Sequence, residues 1–133
     1  MVWYNRPNET MRILAGQFRG RSILGPPETA NTRPMTGRVK KSLVSMLGDW
    51  MNDTTVVDLF SGTGTMGLEA LSVGAKQCCF AERDRAVLVR LRRNIEALGV
   101  EDRCSIWSGN ILNGLSRRLG RLAEPVDLAF VDP

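Results

Sequence analysis

Four short apolar runs, "TVVDLF", "QCCFAE", "CSIWS" and "DLAFV", recur along the second half of the chain, separated by stretches with helical periodicity. Runs this apolar carry no polar face, and only a strand covered on both sides tolerates that. The first is followed by a helix to about Val73. The second is followed by residues 84–98, with Leu88, Leu91, Ile95 and Leu98 on one face and Gly99 placed to end the helix. The third is followed by "ILNGLSRRLGRL", a weaker helix. Strands alternating with helices predict an α/β fold, a doubly wound parallel sheet. Four strands would leave one edge and part of one face bare, so the sheet is expected to be incomplete on its C-terminal side.

The first half reads differently. Two β-prone runs, residues 13–15 and 22–24, flank Gly16 and Gly20 and predict a small hairpin arm edged with arginines. "PPETANTRP" is a Pro-punctuated loop. Thr36 is placed to cap a helix through about Trp50, with Val39, Leu43, Met46, Leu47 and Trp50 as its buried stripe. The net charge of +4 is concentrated here. Residues 12–41 hold Arg12, Arg19, Arg21, Arg33, Arg38, Lys40 and Lys41 against Glu28 alone. Such an excess favours a polyanion.

Some classes of function are excluded by what the sequence lacks. With no histidine, a Ser-His triad cannot form and the commonest metal ligand is missing. Cys78, Cys79 and Cys104 match neither a disulfide framework nor metal-ligand spacing, and read as buried reduced thiols in a cytoplasmic protein. No apolar stretch is long enough to span a membrane, and the first ten residues lack a signal-peptide core. The 133 residues are expected to divide into a dispensable leader (1–10, with Met11 a second start), a basic arm and helix (11–54), and a cofactor-binding part (55–133).

The chemistry-bearing motif is "VVDLFSGTGTMG", where Gly62, Gly64 and Gly67 sit between a strand and its helix. Glycines there permit a tight turn and close approach of a ligand at a helix N-terminus. Glu82, ending the next strand, is placed to accept hydrogen bonds from ribose hydroxyls. A dinucleotide would bring its pyrophosphate toward Asp58, which is electrostatically unfavourable. S-adenosylmethionine carries a sulfonium and an ammonium group, and Asp58 leans the reading toward it.

"DLFSGTGTMGLEAL" followed by "FAERD" resembles the first two motifs of class I methyltransferases, with their Rossmann-like sheet. "MRILAGQFRGRSI", "TRPMTGRVKKSLVSML" and the closing "VDP" resemble the RsmD family more narrowly. Members of that family are bacterial enzymes that methylate a guanine N2 amine of 16S ribosomal RNA, using S-adenosylmethionine. The resemblance implies cofactor contacts at Asp58, Ser61, Gly62, Thr63, Gly64, Glu82 and Asn110. Asn110 stands where the family usually has Asp, and an amide can keep the bond to the adenine amine. Gly37 and Lys41 replace residues that are commonly acidic in the family.

The resemblance also implies that Asp132 and Pro133 open an Asp-Pro-Pro-aromatic catalytic motif. Asp132 would accept a hydrogen bond from the target amine, Pro133 would stiffen the turn, and the aromatic would stack on an extruded base. Because the chain ends inside this motif, it is expected to be a fragment without activity of its own. Arg12, Arg19, Arg21, Arg38, Lys40 and Lys41 are the expected RNA contacts, whereas Arg90, Arg92 and Arg93 read as solvent-exposed. Further expectations are a monomer, no metal and no membrane. The alternatives are a methyltransferase acting on a DNA base or a protein glutamine, and an inactive module that binds cofactor or RNA.

Overall fold

The computed structural model describes residues 10–27 and 37–133. An antiparallel hairpin, β1 (Thr10–Arg12) and β2 (Ser22–Leu24), precedes helix α1 (Gly37–Leu47). Then come β3 (Thr55–Leu59), α2 (Thr65–Ser72), β4 (Gln77–Glu82), α3 (Arg85–Leu98), β5 (Cys104–Ser108), α4 (Leu115–Gly120) and β6 (Leu128–Val131). The four later strands form one parallel sheet in the order β5-β4-β3-β6. The order reverses at β3, so a crevice opens at the carboxyl ends of β3 and its neighbours, where open α/β sheets bind ligands.

The expected doubly wound architecture follows from alternation along each strand. Val56, Cys78, Phe80 and Phe130 point to the face covered by α2 and α3, while Val57, Cys79, Ala81 and Trp107 point to the face where Ile111, Leu115 and Leu122 pack. Helix α3 starts as its sequence dictates. Asp84 accepts hydrogen bonds from the amides of Ala86 and Val87, and Gly99 ends the helix at φ +66°. Helix α2 is different, because every one of its residues is buried. One side lies on the sheet and the other lies under the arm, whose Ile13, Phe18 and Ile23 join the same core. Gly67 makes this possible: a Cβ there would come within 2.3 Å of the Phe80 ring.

Several boundaries and faces differ from expectation. The first arm strand is Thr10–Arg12 rather than 13–15, although the Ile13 amide still reaches Arg21 O at 2.9 Å. Helix α1 stops at Leu47 and tightens into a 3-10 turn, Gly48–Met51. Its buried positions are Lys40 and Val44, followed by Met51. Val39, Met46 and Trp50 are exposed instead, at 47%, 74% and 56%. The physical reason is Lys40, whose ammonium finds a buried carboxylate and so turns that face inward. The expected cap Thr36 lies outside the described residues. Helix α4 is shorter than its pattern, because Gly114 takes φ +80° and only the residues after it are helical.

Cys78 and Cys79 are buried and Cys104 is partly buried, all as free thiols. Burial pushes the Cys104 thiol up to about 12. Among the described residues, no helix is long and apolar enough to cross a membrane, and no cluster of His, Cys, Asp and Glu could hold a metal ion.

Candidate functional site

The turn after β3 is built to hold one shape. Phe60 takes φ +57°, a left-handed conformation costing a non-glycine residue on the order of 1–3 kcal/mol. The Ser61 amide then donates to Ala81 O at 2.8 Å, which prolongs the β3–β4 pairing by one rung. Gly62 and Gly64 follow at φ +57° and +94°, and the Gly64 amide donates back to Ser61 O at 3.0 Å.

Glu82 ties this turn to the end of β4. Its Oε1 accepts the Gly62 amide at 3.0 Å, and its Oε2 accepts the amides of Arg83 and Asp84, both at 2.9 Å. A carboxylate offers about four acceptor sites, so three fixed amides orient it and still leave capacity at its partly exposed side. Beside it lies a cleft of about 220 Å³. Glu82, Arg83 and Asn110 form its polar wall, while Phe60, Ile111 and Leu112 form its apolar one. Asn110 Oδ1 accepts the Leu112 amide at 3.0 Å and so shapes the loop after β5 as well as facing the cleft.

Sequence reasoning missed Phe60, Arg83, Ile111 and Leu112. The signal was available, since each lies within a few residues of the carboxyl end of β3, β4 or β5, where a doubly wound sheet binds its ligand.

Asp58 lies elsewhere than expected. It sits beneath the turn, 4% exposed, and its Oδ2 accepts the Gly67 amide in the first turn of α2 at 3.0 Å. Burial pushes its carboxyl up to about 8, and the negative charges of Asp132 and Glu82 add to this while the Gly67 bond opposes it. Ser61 and Thr63 are also buried. A Cβ on Gly64 would meet Leu91 at 2.6 Å, so this glycine serves packing. Of the residues expected around a cofactor, Glu82 and Asn110 line the cleft and Gly62 is bonded to Glu82. Asp58 supports the turn from beneath, and Ser61, Thr63 and Gly64 form it without lining this cleft.

Asp132 and Pro133 are exposed just past β6. Val131 is paired with Leu59, which places Asp132 at the carboxyl edge of the sheet beside the glycine turn.

The basic residues separate into two kinds. Arg19, Arg38 and Lys41 are exposed. Arg12 and Arg21 are exposed too, and each donates to a backbone carbonyl, Gly20 O at 2.9 Å and Ala97 O at 2.6 Å. Lys40 does not belong with them. It is 4% exposed, paired with Glu69 at 3.0 Å and donating to Arg12 O at 2.9 Å, so it cannot meet a phosphate. Arg90 also departs from expectation, donating to Gly25 O at 3.0 Å from a partly buried position, whereas Arg92 and Arg93 are exposed.

A family model described as conserved hypothetical protein 95 matches residues 11–133. The ribosomal RNA small subunit methyltransferase D of Escherichia coli K12 is 34% identical over 132 residues, covering 96% of this chain and 64% of that protein. The protein of that name from Haemophilus influenzae is 34% identical over 128 residues, covering 92% of this chain and 63% of the other. The solved structure of the yhhF protein of Escherichia coli superposes with a TM-score of 0.77 at 34% identity, over 94% of this chain and 65% of that one. The chain thus spans just under two thirds of the length of these relatives. The glycine turn, the acid that ends β4 and a match running from Met11 to Pro133 agree: the chain belongs to the conserved hypothetical protein 95 family, the RsmD family of methyltransferases.

Proposed function

We propose that the chain supplies the cofactor-binding and RNA-docking parts of an S-adenosylmethionine-dependent methyltransferase acting on a guanine N2 amine of 16S ribosomal RNA. One observation carries this reading: Glu82 is held by the amides of Gly62, Arg83 and Asp84 on the wall of a cleft at the strand ends. A carboxylate fixed there suits a ribose diol. The rest of the site fits the same cofactor. Phe60, Ile111 and Leu112 offer apolar walls to a flat base, and Asn110 offers polar atoms to its edge. Glu82 and Asp132 make the strand ends negative, which suits a sulfonium and an ammonium group and opposes a pyrophosphate, while Asp58 stays buried beneath the turn.

When bound, the cofactor supplies an electrophilic methyl group. The protein's own part is to position and to accept. Asp132, at the end of β6, accepts a hydrogen bond from the guanine amine and orients its lone pair, and Pro133 stiffens the turn that holds it. The arm and the start of α1 dock the RNA backbone through Arg12, Arg19, Arg21, Arg38 and Lys41. The names of the relatives, which specify small-subunit ribosomal RNA, support this choice of nucleic acid.

Calorimetry with S-adenosylmethionine and with NAD tests the cofactor, and binding of NAD alone would overturn it. Labelled methyl transfer to small subunits from a strain lacking the modification, by the chain extended through the rest of the Asp-Pro-Pro-aromatic motif, tests the substrate. The label is expected on guanine N2, and label on another base or on protein would refute that assignment.

A further inference from the structure

Asn94 lies in the middle of α3 and has no place in the reading above, yet it is 2% exposed and touches two functional parts at once. Its Nδ2 donates to Thr63 O, inside the glycine turn, at 3.0 Å. The same nitrogen donates to Leu24 O, in the arm, at 3.0 Å, and its Oδ1 accepts the Leu24 amide at 2.7 Å. Both amide hydrogens and one lone pair of the oxygen are therefore used, and no hydrogen is left for water. One rigid planar group sets the distance between the last residue of β2 and the carbonyl of Thr63. Moving either partner breaks a buried bond, and a buried polar group without its partner is costly.

The rest of the arm is fastened to α1, α2 and α3 at points away from the turn: Lys40 donates to Arg12 O, Arg21 to Ala97 O, and Arg90 to Gly25 O. The Leu14 amide donates to both oxygens of Glu69, the Phe18 amide donates to Ser72 Oγ, and Ser72 Oγ donates to Ala15 O. These bonds seat the arm, and Asn94 carries its position to the loop that the cofactor would meet.

We propose that Asn94 is a positioning residue that couples the seating of the arm to the conformation of the Thr63 turn. RNA held by the arm and cofactor held by the turn then favour one another through this side chain. The inference rests on the proposed cofactor and RNA sites, but its test separates the two.

The first measurement needs no substitution. Coupling between sites is reciprocal, so saturating S-adenosylhomocysteine should slow hydrogen exchange at the Leu24 amide as well as at the turn. The second is a double-mutant cycle. Ile23→Ala loosens β2 from within the core, and it should weaken S-adenosylhomocysteine binding about tenfold when Asn94 is present but less than about twofold in an Asn94→Ser background.

Additive effects, or an unprotected Leu24 amide in a chain that binds the ligand, would reduce Asn94 to a packing residue. Failure of the unsubstituted chain to bind S-adenosylhomocysteine would instead remove the cofactor reading, and the coupling with it. If Asn94→Ser does not fold, the exchange measurement on the unsubstituted chain decides the question alone.

Discussion

Asp58 shows how one carboxyl can be both support and liability. Its carboxyl, 3.8 in its ordinary range, is pushed up to about 8 in the folded chain. Between these values the folded group keeps its proton after the unfolded one has lost it, so stability falls as pH rises from about 4 to about 8. Asp58→Asn keeps an acceptor for the Gly67 amide and removes the titration. Urea unfolding at both ends of that window should show the original chain losing on the order of a few kcal/mol relative to the variant. A constant difference would mean that Asp58 is already charged at low pH. For Glu82 the expected loss is of binding. Glu82→Gln should weaken S-adenosylhomocysteine at least about tenfold in calorimetry, since a charged acceptor contributes about 1.5–3 kcal/mol, and should also lower the melting temperature, because one amide oxygen cannot replace both carboxylate oxygens toward Gly62, Arg83 and Asp84.

At the scale of elements, Lys40 and Lys41 make the sharpest contrast. They are adjacent in sequence, but one is buried on Glu69 and the other faces solvent. Lys40→Ala leaves Glu69 buried without its cation and should destabilise the chain by about 3–5 kcal/mol. Lys41→Ala should leave unfolding unchanged and weaken RNA binding. Equal effects on stability would contradict the ion pair. This contrast also marks the limit of what sequence can tell. From Thr55 onward the strands were legible as apolar runs and α3 as an apolar face between Asp84 and Gly99, whereas α4 proved shorter than its weaker pattern. The face of α1 was not, because counting apolar residues placed Val39, Met46 and Trp50 inward. A buried lysine carries no local mark, since its partner Glu69 lies on another element. For the same reason the place of Glu82 at a strand end could be read directly and that of Asn110 from the family resemblance, while the burial of Asp58 beneath the turn could not. Its true partner, the Gly67 amide, depends on how α2 sits over β3.

For the whole molecule, charge is unevenly spread. Residues 1–55 hold eight Lys and Arg against four Asp and Glu, and the remainder holds ten of each. Binding through phosphates should weaken linearly as log salt rises, with a slope set by the number of contacts. Reversing Arg38 and Lys41 together should lower RNA affinity and flatten that slope by about two contacts, measured by titration across a salt series. An unchanged slope would leave the basic face as ordinary solvated surface.

The bonds from Leu24 to Asn94 span 70 residues of chain, and this has a consequence for the order in which the protein is made. At about 5–20 residues per second the ribosome needs about 4–14 s to travel from one to the other. During that interval α2 emerges before α3, so the arm can close upon Glu69 and Ser72 while Leu24 still waits for Asn94. Helix α2, buried on all sides in the finished fold, must likewise wait with one apolar side uncovered. The arm is therefore fully seated only once α3 has been made. A chaperone that shields α2 during those seconds would raise the yield of folded chain without altering its final stability.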